Sequence, residues 1–353
     1  MNLKTTLHRK YTKGLILFLL FSWILTGCLG KEDYKAYKDA AVKTDAIQKG
    51  AQSVKVAVNQ TLFEEAEPQN VTTLKGLETL KFDLSGQFDY EKNLALYDIY
   101  YYYNDLGNDI KYIQKSETEQ YIKIPMFKDY LKLNAQSFAS EGSNETTPVK
   151  GEFGSADIFK TIIDEIGIEW NTMIQKENIF VGEKTTIKNE DGDVKATKFT
   201  IKPTTEQLEL ISDRIKTSLL AHTDELANAF NQFSRNGMST NGGAIANNDS
   251  KKMKMDAEEI HALIENLMSN MTITHYEEVA YVDLDGYIIE ETTTIGIDYT
   301  QTDQFTPLFK AQEIVINSKF WGIEKTQKFD FPEIDESNSK SMDAFDFSGD
   351  LAE

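Results

Sequence analysis

Strict alternation of apolar and polar residues recurs along this chain, and it leaves room for little except antiparallel sheet. Val54, Val56 and Val58 alternate with Lys55, Ala57 and Asn59. A period of two sends successive side chains to opposite faces, so such a run reads as a half-buried strand. Further strands are expected at about 78–90, 93–104, 109–116 and 120–133. The segments between them, Pro68-Gln69-Asn70, Asn104 to Asn108 and Ser116 to Glu119, carry turn residues. After a break the pattern resumes: a hairpin at about 179–189 and 193–202 turns at Glu190-Asp191-Gly192. Strands at about 272–282 and 287–300 turn at Asp283-Leu284-Asp285-Gly286, and two more lie near 311–319 and 322–331.

Between these runs the period lengthens. Residues 34–49 read as a helix through Tyr34, Tyr37, Ala41 and Ile47, with Gly50 as a stop. Ile158, Phe159, Ile162, Ile163 and Ile166 make a second, ending at Gly167. Thr204 and Gln207 form a capping box for a third, whose stripe is Leu208, Ile211, Ile215 and Leu219 and which runs to about 233. Asp256 with Glu259 caps a fourth, with Ile260, Leu263, Ile264, Leu267 and Met271 along one side. The chain is therefore α+β, with about eleven antiparallel strands and four or five helices.

The N-terminus has a different logic. Lys4, Arg9, Lys10 and Lys13 precede the apolar run Leu15 to Leu25, and Thr26-Gly27-Cys28 follows it. A basic segment, an apolar core and small residues make a secretory signal. From Gly14 to Gly30 the apolar stretch is 17 residues, short of the ~20 that a spanning helix needs. Leu25-Thr26-Gly27-Cys28 resembles the lipobox of bacterial lipoproteins. The resemblance implies acylation of the Cys28 thiol, cleavage between Gly27 and Cys28, and a lipid-anchored place on the extracytoplasmic face of the cell membrane. Two acyl chains suffice for stable anchoring where one is marginal.

Removing residues 1–27 takes away four of the 37 basic residues and none of the 57 acidic ones, leaving a net charge of −24. Such a chain is repelled by nucleic acid and by anionic headgroups, so neither is an expected partner. Cys28 is the only cysteine, so no disulfide forms and stability rests on an ordinary core.

Beyond the lipobox, the element order resembles the LolA/LolB/LppX-type lipoprotein carriers and related uncharacterised lipoproteins of Bacillus-like bacteria. The segments that carry it are YDIYYYYNDLGNDIKYIQ (97–114), the join Phe199 to Pro203 into the 205–220 helix, and DLDGYIIEETTTIGIDY (283–299). The resemblance implies one strongly curved antiparallel sheet, an incomplete barrel, with helices plugging its concave face and an apolar cavity for acyl chains. The long 205–254 segment departs from the compact family pattern.

The chemistry-bearing residues are few. On a strand, Tyr97, Ile99, Tyr101 and Tyr103 share one face, and with Leu208, Ile211 and Ile215 they are candidates to line such a cavity. The same tyrosines serve equally as ordinary core. His261 has Glu258 and Glu265 on neighbouring turns, but on the polar side of an apolar stripe, where solvated charge is expected. Asp191-Gly192-Asp193 and Asp283 to Gly286 lack the glutamate that a full calcium loop places at its twelfth position, and read as hairpin turns. No HExxH, GxSxG, P-loop or GxGxxG occurs. No metal, cofactor or enzymatic activity is expected.

The expected division is a signal peptide at 1–27, a lipidated tether at 28–34, a half-barrel domain at 35–332 with a flexible insert at 235–254, and an acidic disordered tail at 333–353. The tail carries seven acidic residues and one lysine. Two functions fit. One is a non-enzymatic binding lipoprotein that holds an acyl-chain or other amphipathic ligand. The other is a cell-envelope interaction or structural lipoprotein that acts through protein contacts with no ligand. A hydrolase is the weakest reading.

Overall fold

Val54, Val56 and Val58 lie on one face of β1 (Lys49–Leu62), the strand at the centre of the sheet. The computed structural model describes residues 33–63, 78–103, 106–133, 154–238, 255–302 and 309–341. From β1 a meander runs outward through β2 (Thr79–Asp89), β3 (Leu94–Tyr103), β4 (Leu106–Gln114), β5 (Gln120–Lys123) and β6 (Tyr130–Leu133). A second meander, β7 (Ile179–Asn189), β8 (Gly192–Ile201), β9 (Met271–Asp283), β10 (Ile288–Tyr299) and β11 (Phe309–Trp321), returns to pair β11 with β1. Val56 stands opposite Ile316 on one side and Phe82 on the other, so one apolar face continues across the join. All these pairings are antiparallel.

A short β12 (Ser339–Ser341) then adds to the β6 edge in parallel. The described residues thus form one open sheet of twelve strands, with five α-helices. The sheet is strongly curved. Asp191, at the tip of the β7–β8 hairpin, accepts from the Gly322 backbone N–H at 2.7 Å, just past β11. In a flat sheet β8 and β11 would lie about 14 Å apart, three spacings of ~4.8 Å.

The helices cover the half of the concave face built by the second meander. α1 (Asp33–Asp45) seats Tyr37, Ala40 and Ala41 against Phe199, Val282 and Ile288. α2 (Gly154–Met173) contributes Ile158, Ile162, Ile166 and Trp170 to the same core. α3 (Thr205–Ala221) packs on β9 and on α2, while α4 (Thr223–Met238) and α5 (Ala257–Ser269) close a smaller cluster around Ile260, Ile264 and Met268. Both expected capping boxes are present: Thr204 accepts from the Gln207 N–H and Asp256 from the Glu259 N–H, at 3.3 and 2.9 Å.

Several boundaries differ from expectation. α1 stops at Asp45, and Ile47 turns away into the β1–β4 core. α2 runs through Gly167 to Met173, because Trp170 continues its buried stripe and outweighs one glycine's cost of about 1 kcal/mol. The single 205–233 helix is broken at His222, where the backbone leaves helical geometry. There Glu165 of α2 receives the Ser218 hydroxyl at 2.5 Å and approaches His222 Nε2 at 3.3 Å. The 120–133 run is two short strands. The expected strand at 322–331 is absent: Gly322 and Glu324 take positive φ and turn the chain away, and Phe329 stacks on Phe331.

The acidic tail is also corrected in part. Residues 333–341 are folded, because the β6 edge offers backbone hydrogen bonds and Asp129 pairs with Lys340 at 3.4 Å. Neither attraction depends on apolar content, which is what the composition weighs. Residues 342–353, the tether up to residue 32, the 140–152 loop and the insert from 239 to 254 lie outside the described residues.

Gly86 of β2 lets β3 approach its backbone closely. A Cβ on Gly86 would meet the Leu96 carbonyl oxygen and stand 2.6 Å from Tyr97 Cδ1. Gly86→Ala should therefore cost about 1–3 kcal/mol, read as a lower urea midpoint at unchanged m-value. An unchanged midpoint would mean that the strand can shift to accept the methyl.

Candidate functional site

The α3 stripe reaches the sheet across a gap. Leu208, Ile211 and Ile215 form one wall of a cavity of about 230 Å³. α2 supplies Ile163, Ile166 and Trp170, and Met268 closes it at the end of α5. Its floor is Met271, Ile273 and Tyr276 of β9, Ile295 and Ile297 of β10, and Ile314 of β11. The site exists because helix period and strand period both bring apolar residues to the same space without filling it.

No charged side chain lines this cavity. The Tyr276 hydroxyl is its polar group by chemistry, and it already donates to Glu278 Oε2 at 2.9 Å. The Trp170 Nε1–H is buried without a hydrogen-bond partner, and its ring meets Tyr276 edge-on at 4.8 Å between centroids. An N–H against an aromatic face is a weak hydrogen bond. Chemically, the cavity can shelter hydrocarbon, with the Trp170 Nε1–H and the Tyr276 hydroxyl as its polar groups.

Size decides what fits. An engineered apolar cavity of ~150 Å³ takes benzene, whereas drug-sized ligand pockets start near 300 Å³. At roughly 30 Å³ per methylene, about the volume of a liquid water, seven or eight carbons of one chain fill this space.

The candidate lining residues divide. Leu208, Ile211 and Ile215 come together in the cavity, but Tyr97, Ile99 and Tyr101 do not join them. Tyr97 and Ile99 are buried in the separate core of β1–β4 and β11. The Tyr97 hydroxyl accepts from Gln52 Nε2 and shares a hydrogen bond with the Tyr90 hydroxyl, both at 3.1 Å. Its ring stacks on Tyr112, and burial pushes its ionisation well above the ordinary range. This is a filled core and not a groove. Tyr101 is 41% exposed, and the side chain of Tyr103 lies outside what is described. Gly27 and Cys28 also lie outside the described residues.

Sequence reasoning missed the sheet side of the cavity and, beside it, two buried acids. Glu278 follows Tyr276 on the inner face of β9, and Glu291 stands diagonally across on β10. They are 0% and 5% exposed. Burial drives the Glu278 carboxyl up to about 7, although the hydroxyls of Tyr37 and Tyr276 both donate to it. Burial, and then Glu278 itself, raises Glu291 well above the usual carboxylate range. The available signal was a glutamate at an inward position of an alternating strand.

A larger cleft, about 380 Å³, lies on the other face of β2–β4. Its charged lining is Asp83, Asp98, Asp109, Lys111 and Lys123, and the candidate residue Ile99 borders this cleft and not the apolar cavity. Asp98 is paired with Lys111, and Lys123 donates to the carbonyls of Phe127 and Lys128. Asp83 pairs with Lys55 at 3.9 Å, and this charged lining suits hydrocarbon poorly, so the smaller apolar cavity is the better candidate for an apolar ligand. Among the described residues no group of three or more His, Cys, Asp or Glu side chains is placed to hold a metal. No helix among them is long and apolar enough to cross a membrane.

No family model matches the chain. No curated protein matches it either. A solved structure, a β-barrel-like protein of a domain of unknown function (DUF1849) from Brucella abortus, is 9% identical. The comparison covers 78% of this chain and 97% of that one, at a TM-score of 0.13. At that score the likeness says nothing about function, and the architecture rests on the chain's own strand pairing.

Proposed function

We propose that this chain is a lipid-anchored, non-enzymatic binding lipoprotein on the extracytoplasmic face of the cell membrane, holding a single acyl chain of an amphipathic ligand. The observation that carries this reading is the uncharged cavity between Ile211 of α3 and Ile273 of β9. The sequence at Leu25 to Cys28 supports the anchor, and the curved sheet with helices on its concave side is the architecture expected of a LolA-like carrier.

Each buried methylene contributes about 0.8 kcal/mol, so seven or eight give roughly 6 kcal/mol, a Kd on the order of tens of micromolar. Fluorescent fatty-acid probes should bind the 29–353 fragment, which retains every described residue. Affinity should rise with chain length and level off near eight carbons, with little salt dependence. Ile215→Trp should fill the cavity and abolish binding while the protein stays folded. No saturable binding at any chain length, or binding untouched by Ile215→Trp, would remove the cavity from consideration.

The second reading, an interaction lipoprotein without ligand, draws on the Tyr97–Tyr112 core, where half of the concave face is filled by the protein's own side chains. It becomes the better one if the probes fail. The anchor is tested separately. Cys28→Ala should abolish fatty-acid labelling and leave the precursor uncleaved, by metabolic labelling and intact mass. Normal processing of that variant would rule the lipobox out.

A further inference from the structure

Glu278 and Glu291 sit in the floor of the core with no ion pair to either among the described residues. Their surroundings are hydroxyls and aliphatics. β9 presents Tyr276, whose hydroxyl bonds to Glu278 Oε2 at 2.9 Å. β10 presents Thr293, whose hydroxyl reaches Glu291 Oε1 at 3.3 Å. β8 faces Glu278 with Ile201, and β11 faces Glu291 with Ser318. The remaining cover comes from α1, whose Tyr37 hydroxyl donates to Glu278 Oε1. The ionisable groups acting on the pair are thus Tyr37 and Asp45 of α1 and Tyr276 of β9, and none of them is a cation.

A buried carboxylate without a cation is costly, and two neighbouring ones more so. The two titrate together. Neutral, they suit a dry interior. Once charge appears, water must be admitted or the charge expelled, and α1 is the one part of this cover that is not hydrogen-bonded into the sheet as a strand. Besides Tyr37, α1 is held by the packing of Ala40 and Ala41 in the core, by Lys43, which donates to the Asp285 carbonyl and lies over the Tyr287 ring, and by Thr44, which accepts from the Ile288 N–H at 2.8 Å. Tyr37 is fully buried while Val42, one turn on, is exposed, so α1 lies at the boundary between core and solvent.

We propose that the Glu278–Glu291 pair is a proton-dependent latch for α1: the neutral pair holds the helix on the concave face, and the ionised pair releases it. Glu278 held near 7 in the closed form, against its ordinary carboxylate value, puts the working range in mildly acidic to neutral conditions. Release would also free Tyr276, which forms part of the cavity floor.

The test is amide exchange on the full chain in lipid nanodiscs, corrected for intrinsic exchange rates. A latch of one proton makes opening of residues 33–45 rise on the order of 100-fold from about pH 5 to about pH 8, up to tenfold per pH unit between the two carboxyl values. The α5 amides, residues 257–269, should not follow. Glu278→Gln should make the rise shallower, leaving only the share of Glu291, because it keeps an acceptor for Tyr37 but cannot ionise. Glu291→Gln, which removes the like charge, should make the rise smaller and end it at lower pH. Flat α1 exchange in the native sequence overturns the proposal. So does an unchanged slope in both variants, or α1 and α5 opening together, which would be global unfolding and not release of a helix.

Discussion

Ile211→Asp will lower the unfolding free energy by about 3–5 kcal/mol, a large fraction of the roughly 5–15 kcal/mol of an ordinary domain. Ile211 is 2% exposed, at the contact of α3 with β9, and among the described residues that line the cavity beside it there is no cation to pair with a carboxylate. An aspartate there must either ionise in hydrocarbon or take up a proton, and it also loses the packing of the isoleucine. Urea denaturation at neutral pH measures the effect. Repeating it at acid pH should recover part of the loss, since a protonated carboxyl costs less to bury. A midpoint equal to that of the unaltered protein would mean that water already fills the cavity and that α3 lies loosely on the sheet.

Global stability will fall as pH rises from about 4.5 to about 7, by a few kcal/mol for the Glu278–Glu291 pair, because each pH unit between unfolded and folded values is worth about 1.4 kcal/mol per proton. The sign follows from where the proton sits. Glu278 has a higher value folded than unfolded, so over this window the native state keeps a proton that the unfolded state gives up. Its contribution is complete below the unfolded value and lost once pH passes the folded one. Glu291 acts in the same direction. Four carboxylates act in the opposite one, Glu206 and Asp335 at the exposed surface and two with distant side-chain partners. Hydrogen bonds from Ser218 and His222 lower Glu165, and Asp191 is lowered despite its own partial burial, by Lys325 and the Gly322 N–H. Their smaller contributions are lost below the ordinary carboxylate range. Stability should therefore peak in mildly acid solution. Thermal melts across that range check this, and a melting temperature that rises steadily from pH 5 to pH 8 would show that the two glutamates are hydrated and ionised in the fold.

Much of the architecture was legible locally. Val54-Val56-Val58 and the 276–282 run place strands because alternation is a property of adjacent residues. Thr204 and Asp256 mark helix starts because capping is a contact three residues long. The helix wall of the candidate site was legible for the same reason: Leu208, Ile211 and Ile215 are one stripe at helical spacing. Misreadings arose wherever a distant partner outweighed the local signal. Trp170 carried α2 past Gly167, Glu165 of α2 stands at the break near His222, and the β6 edge drew in an acidic tail.

By itself, then, the sequence determined the α+β composition, two meanders of antiparallel strands, the capped helices and the apolar faces that had to be buried, because each follows from neighbours within a few residues. It determined nothing about which apolar faces would meet. Only the tertiary structure decided that Tyr97 and Ile99 fill a core of their own while Ile211 faces a gap. It also decided that Glu278 and Glu291, 13 positions apart in the chain, share one dry patch under Tyr37. The reason is the curvature of the sheet and the seating of the helices in it. Both set distances between residues far apart in sequence, and cavity volume and carboxyl burial depend on those distances.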